Sequence, residues 1–257
     1  MVLTQLITPF EEAIVARSDE KPDLSLVVPT FNERANIPEL FARIKKSVEV
    51  GFEFIVVDDN SPDGTAKVAE MLNVEYGNVK VCRRPNKLGL SSAVLCGFRN
   101  ASGNVFAVID ADMQHPPEIL PAMYHEISRG CDLVVASRYV DGGGTENWKL
   151  SRKVYSLAAT MLAHVLLPSS RKVRDVMSGC FMVRRDALEN AHLNPIGFKI
   201  LLEILSKCKF NQVKEVPYTF TNRLNGKSNL TQKEALDFCI HLYRLFSYDL
   251  VKKNRRG

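Results

Sequence analysis

Several features are scarce in this chain of 257 residues, and each scarcity removes a class of protein. No apolar run reaches the roughly 18 to 20 residues that a helix needs to cross a bilayer. The nearest candidate, Tyr155–Leu167, is too short and contains His164. The N-terminus has neither the basic start nor the apolar run of a secretory signal, so a lipid substrate would be met from the membrane surface. Cysteine occurs at Cys82, Cys96, Cys131, Cys180, Cys208 and Cys239, with no C-x-x-C pair and no cluster with histidine. Zinc and a dense disulfide framework are therefore not expected, and reduced thiols in a cytosolic setting are. Internal repeats and low-complexity linkers are lacking. No aromatic-rich basic strand, helix-turn-helix signal or zinc pattern points to nucleic acid.

What is present suits one α/β domain. With 46% apolar residues the chain can bury a full core, and its formal charge of +5 favours anionic partners without choosing among them. Short β-branched runs at Leu24–Pro29, Glu53–Asp58, Val79–Cys82, Val105–Asp110 and Asp132–Ser137 read as buried strands. Between them Glu33–Val50, Thr65–Asn73, Leu88–Asn100 and Pro116–Arg129 read as helices. This alternation predicts a mostly parallel central sheet with helices on both faces, whose ligands gather at the carboxyl ends of the strands.

The ends read differently. Residues 1–22 form an N-terminal amphipathic segment in which Thr8 and Glu11 are spaced as a capping box, with Pro9 at the first helical position. Residues 231–257 carry an amphipathic helix over Lys233–Val251 and the basic tail Lys252, Lys253, Arg255 and Arg256. Such a tail is attracted to an anionic membrane surface, although a solvated tail is the ordinary reading.

Three polar clusters fall where strands should end. They are Pro29-Thr30-Phe31-Asn32-Glu33, Asp58-Asp59-Asn60-Ser61-Pro62-Asp63-Gly64, and Asp110-Ala111-Asp112-Met113-Gln114-His115. Turn chemistry alone accounts for the first two. The third is more specific: Asp110 and Asp112 can face one cleft, and two carboxylates that close call for a hard divalent cation. Gln114 can add a neutral oxygen. His115 is a candidate ligand too, with a supporting or surface place the commoner one for such a histidine.

These motifs together resemble the inverting glycosyltransferases of the GT-A (Rossmann-like) fold and, more narrowly, the dolichyl-phosphate mannose synthases. The resemblance runs on through Gly89-Leu90-Ser91-Ser92-Ala93, Ser137-Arg138-Tyr139, Arg152, Ser178-Gly179, Asn194–Lys199, Glu215-Val216-Pro217 and Arg223, from Leu24 to about Tyr243. It implies a catalytic domain over 23–230 that transfers mannose from GDP-mannose to dolichyl (polyprenyl) phosphate. Pro29, Phe31, Glu33, Val57, Asp59 and Asp110 would then hold the nucleotide sugar. Asp110, Asp112 and Gln114 would hold Mg²⁺ or Mn²⁺, and Arg138, Arg152 and Ser156 the acceptor phosphate. Asp112, Arg138 and Arg152 are the implied catalytic set. Arg223 and Lys227 would act on the donor from a closing loop at Asn222–Leu230.

Two departures stand out: Phe31 replaces a common tyrosine, and Gly226-Lys227-Ser228-Asn229-Leu230 places its lysine two residues before the usual one. A phosphate monoester is already ionised near neutral pH, so no general base is expected, and single displacement gives a β-linked product. The apolar run Tyr155–Leu167 with Arg171, Lys172 and Arg174 suits a membrane interface. The expected location is peripheral, on the cytosolic face of the endoplasmic reticulum or of a prokaryotic plasma membrane. Related synthases carry their own membrane segments or borrow them, which makes a small membrane-anchoring subunit a candidate partner. The rival within enzymes is a dolichyl-phosphate glucosyltransferase using UDP-glucose. Across classes, it is a silent regulatory subunit.

Overall fold

The computed structural model describes residues 21–221 and 232–254. The N-terminal capping box, the loop bearing Arg223 and Lys227, and Arg255 and Arg256 lie outside the described residues, as do the side chains of Lys252 and Lys253.

In chain order the elements begin β1 (Leu24–Thr30), α1 (Ile37–Ser47), β2 (Phe52–Asp58), α2 (Thr65–Tyr76), β3 (Val79–Arg83), α3 (Leu90–Asn100) and β4 (Val105–Val108). A 3₁₀ turn at Pro117–Ile119 leads into α4 (Leu120–Ser128), β5 (Leu133–Ser137), the two-residue β6 (Gly144–Thr145) and α5 (Leu150–Leu166). Then come β7 (Phe181–Arg184), α6 (Ile200–Lys207), β8 (Val213–Pro217), β9 (Thr219–Phe220) and α7 (Gln232–Asn254). The main sheet has the order β3-β2-β1-β4-β7-β5-β8, and every pairing in it is parallel except those of β7. Beside it, β6 and β9 pair in parallel.

The five strands expected from the sequence are all present, and the helices between them are too, with moved ends. The first helix begins at Ile37 rather than at Glu33. Asn32 takes a left-handed φ of 60° and the N–H of Asn36 bonds back to the Glu33 carbonyl (2.9 Å), so 33–36 is a turn. Pro38 then sits in the first helical turn and Lys45 and Lys46 in the last, where each is favoured.

Alternation along the strands builds two cores. Leu24, Leu26 and Val28 with Phe54 and Val56 face α1 and α4. Val27 with Ile55 and Val57 faces α3, α6 and α7. Helix α3 lies close on β1 because residue 97 is glycine: a Cβ there would stand 2.3 Å from Val27 Cγ1. At the amino ends of the strands, buried Glu53 accepts hydrogen bonds from Ser25 Oγ (2.6 Å) and the Ser102 N–H (2.5 Å) and pairs with Lys80 Nζ (2.6 Å). This ties β1, β2, β3 and the turn after α3 together. The carboxyl ends stay open for chemistry.

Candidate active site

Four non-glycine residues that follow strands adopt left-handed backbone among the described residues: Asn32 (φ 60°), Asn60 (φ 59°), Met113 (φ 61°) and Asn147 (φ 51°). Asparagine tolerates this, whereas methionine does so at a cost that its surroundings must hold in place. Here the Gln114 N–H donates to Asp112 Oδ1 (3.0 Å), and the Met113 carbonyl accepts from Thr221 Oγ1 (3.1 Å). The acidic loop is thereby set in one conformation against the end of β9.

The first two polar clusters form one wall. The Asn32 N–H donates to Ser61 Oγ (2.9 Å), the Glu33 N–H to Thr65 Oγ1 (3.0 Å) and the Arg34 N–H to Asp63 Oδ2 (3.0 Å). Burial works against the charge on Asp63, but hydrogen bonds from Thr65 and from the Arg34 and Thr65 N–H groups outweigh it and hold the carboxyl below its ordinary range. Pro29, the last residue but one of β1, pairs in register with buried Val57 of β2. Phe31 is partly exposed, with Lys87 Nζ 4.4 Å from its ring centroid. The buried carboxylate of Asp59 accepts from Arg84 Nε, and Arg84 in turn donates to Ser92 Oγ (2.7 Å) and the Gly89 carbonyl (3.0 Å). Nothing in the sequence had marked Arg84.

At the centre, Asp110, Asp112 and His115 each offer a ligand atom, all within 4.8 Å of one another. His115 is neither a surface histidine nor exposed: it stacks on Tyr218 (centroids 5.1 Å) and meets Phe220 edge-on (5.4 Å). Burial pushes it down to about 4 against the pull of Asp112, so the ring is neutral and has lone-pair capacity. Neither of its ring nitrogens has a hydrogen-bond partner among the described residues. Gly179 leaves room here, since a Cβ at that position would stand 2.7 Å from Asp110 Oδ2. Two carboxylates, a neutral imidazole and a cradle too tight for a side chain fit a divalent cation. Buried Gln114 lies alongside, its Nε2 donating to the Thr221 carbonyl (3.3 Å).

On the other side stand the arginines. Arg138 follows β5 and is buried, with Nε and Nη2 donating to the two oxygens of fully buried Asp175 (2.7 and 2.6 Å). Burial opposes the guanidinium charge, but the Asp175 pair more than restores it, and Arg138 stays protonated throughout. Asp175 is itself placed by Glu215 of β8, whose carboxylate accepts from the Arg174 and Asp175 N–H groups (2.8 and 3.0 Å). Arg152 projects from the first turn of α5, and its Cζ lies 4.2 Å from the Trp148 ring centroid. Ser156, one turn on, accepts from the Tyr139 hydroxyl (2.8 Å). Lys199 donates from Nζ to the Met177 carbonyl (2.5 Å). Burial, with the Arg138 charge, pushes it down to about 8. Asp175, Arg84, Trp148 and Phe220 are the residues that sequence reasoning passed over. Each acts through a contact with a residue distant in the chain.

The sequence pattern of glycosyl transferase family 2 matches residues 25–191, from β1 past β7. The chain belongs to glycosyl transferase family 2. This family 2 transferase is 47% identical over 227 residues to a dolichol-phosphate mannosyltransferase of Pyrococcus furiosus, matching 88% of the chain but 64% of the Pyrococcus protein. It thus spans a little under two thirds of that relative's length. It is 35% identical to the dolichol-phosphate mannosyltransferase of Saccharomyces cerevisiae, with 90% of each chain covered. Among solved structures, glucosyl-3-phosphoglycerate synthase of Mycobacterium tuberculosis in complex with Mn²⁺, UDP-glucose and phosphoglyceric acid superposes with a TM-score of 0.65 at 22% identity. It covers 94% of the transferase and 84% of that chain, and the likeness establishes the GT-A fold.

Proposed function

We propose that this transferase moves mannose from GDP-mannose to dolichyl phosphate with inversion, giving dolichyl β-D-mannosyl phosphate and GDP. The observation that carries the reading is the adjacency of an acidic cluster and an arginine pair at the carboxyl edge of the sheet. The Phe220 ring centroid stands 5.4 Å from that of His115 and 5.5 and 5.2 Å from the Cζ atoms of Arg138 and Arg152. A transferase that joins a diphosphate donor to a phosphate acceptor needs those two charge environments a few ångströms apart. The names of the relatives supply the sugar and the lipid.

The wall made by Pro29, Phe31, Glu33, Val57 and Asp59 holds base and ribose, with Phe31 offering an apolar face to stack on. Arg223 and Lys227 serve the donor from the loop outside the described residues. Asp110 and Asp112, with Gln114 and His115 beside them, would hold Mg²⁺ or Mn²⁺, which supplies positive charge for the leaving diphosphate. Arg138, Arg152 and Ser156 orient the acceptor phosphate. Its second ionisation lies near pH 6, so an oxygen attacks the anomeric carbon without a base, while the bond to the diphosphate breaks on the opposite face. The side chains contribute positioning and charge stabilisation.

The lipid reading draws on α5 and α7, which touch each other and leave Tyr155, Met161 and Val165 on one and Leu236, Tyr243 and Val251 on the other largely exposed. Among the described residues no helix is long and apolar enough to cross a membrane. Peripheral attachment at the cytosolic face, alone or through a small anchoring subunit, fits that surface. Competition between GDP and UDP for labelled donor, with the anomeric configuration of the product, tests the reading. Preference for GDP and a β-linked product are expected; UDP preference or an α-linked product would contradict it.

A further inference from the structure

The two arginines assigned to the acceptor carry like charge, and Asp175 neutralises Arg138. What both share is aromatic. The Cζ atoms of Arg138 and Arg152 lie 5.1 and 4.2 Å from the Trp148 ring centroid and 5.5 and 5.2 Å from that of Phe220. The two rings meet edge to face at 5.1 Å. A guanidinium close to an aromatic face is attracted by the ring quadrupole, and one indole shared by two cations offsets part of their repulsion.

The backbone holds this platform in place. Strands β6 and β9 pair in parallel, the Gly144 N–H donates to the Tyr218 carbonyl (3.0 Å) and the Glu146 N–H to the Phe220 carbonyl (2.9 Å). Asn147 then turns with a left-handed φ of 51° and delivers Trp148 just before α5. The same side chain lines a cleft of about 270 Å³ together with Arg138, Tyr139, Thr145, Lys153 and Leu157. Its Nε1 is buried with no hydrogen-bond partner among the described residues. On Arg138, Asp175 occupies Nε and Nη2, leaving Nη1 without a hydrogen bond among the described residues. Among the described residues, an indole N–H and a guanidinium NH2 without hydrogen-bond partners thus belong to two residues that line one cationic, half-apolar cleft.

We infer that Trp148 is a positioning residue for the acceptor: it sets the spacing of Arg138 and Arg152 so that one phosphate monoester on an isoprenyl chain meets both. The inference rests on the proposed acceptor reading. It assigns Trp148 no direct part in bond making.

Trp148 is the only tryptophan of the chain, so its emission reports on this cleft alone. Farnesyl phosphate, titrated into the intact protein, is expected to change that emission saturably, farnesol is not, and Arg152→Gln is expected to weaken the response. This titration needs no turnover, so it stands even if mannose transfer proves to be the wrong reaction. In steady-state assays Trp148→Leu is expected to raise the acceptor KM by ~10-fold, as two lost cation–π contacts imply, and to leave the donor KM unchanged. Trp148→Phe, which keeps a ring face, should recover most of the loss. An emission blind to farnesyl phosphate would overturn the inference. So would a Trp148→Leu variant whose two KM values move together, or one that Trp148→Phe does not rescue.

Discussion

Lys199 is a half-buried cation that feels the charges of Arg138, Arg152, Asp110 and Asp175, and its proton is held less firmly than that of an ordinary lysine. Protonated below pH 8 and neutral above it, it adds a positive charge to the arginine side of the cleft only on the acid side. Values of kcat/KM for the acceptor should therefore rise through the phosphate ionisation near pH 6 and fall above about pH 8. Lys199→Met should remove the alkaline fall and lower the plateau; a profile unchanged by the substitution would take Lys199 out of the reaction. The residue-scale picture was half legible in the sequence. Asp110 and Asp112 announce themselves, because two carboxylates at the end of an apolar strand are costly without a cation. Asp175 does not: it is one acid among basic residues, and its partner Arg138 lies 37 positions earlier. Trp148 and Phe220 likewise meet only after the chain has folded.

At the scale of elements, the hidden parts are those without periodicity. Strands β1 to β5 show as β-branched runs, whereas β6 and β9 have two residues each and owe their existence to each other. Strand β7 is four residues long, runs antiparallel in the middle of a parallel sheet, and carries Phe181, Met182 and Val183 without polar alternation. The ends of β1, β2 and β3 are more strictly controlled, through Glu53. Burial opposes its charge, but Lys80, Ser25 and the Ser102 N–H outweigh burial and hold its carboxyl below the usual value of 4.5. A depressed carboxyl stabilises the fold above the unfolded-state pKa, and that contribution fades as pH falls through the lower folded value. Glu53→Gln should cost ~1–2 kcal/mol at neutral pH, with the difference from wild type shrinking in acid. Chemical denaturation at pH 7 and at pH 3.5 checks both; equal stability at neutral pH would show that the hydrogen bonds matter little.

Taken whole, the molecule puts the wall around Phe31 and Asp59, the acidic loop and the arginine pair at the carboxyl edge of the sheet, and α5, which begins beside Arg152, runs on from there with exposed apolar side chains and touches α7. Flotation with liposomes of anionic lipid should recover the protein, and Met161→Glu with Val165→Glu should lower that recovery while leaving GDP binding intact. Neutralising Arg171, Lys172 and Arg174 together should weaken attachment in low salt, although Arg171 Nε also caps the His164 carbonyl at the end of α5 (2.7 Å). Unchanged recovery in both sets would place the lipid contact on another surface.

The central claim is one reaction at one cation-dependent site. The most direct measurement is transfer of labelled mannose from GDP-mannose to dolichyl phosphate, with and without Mg²⁺ or Mn²⁺, for wild type and Asp112→Ala. Product that requires the cation and falls by ~100-fold or more in the variant is the expected result. Equal turnover by Asp112→Ala, or no mannosyl lipid from a wild-type protein that binds GDP, would contradict it.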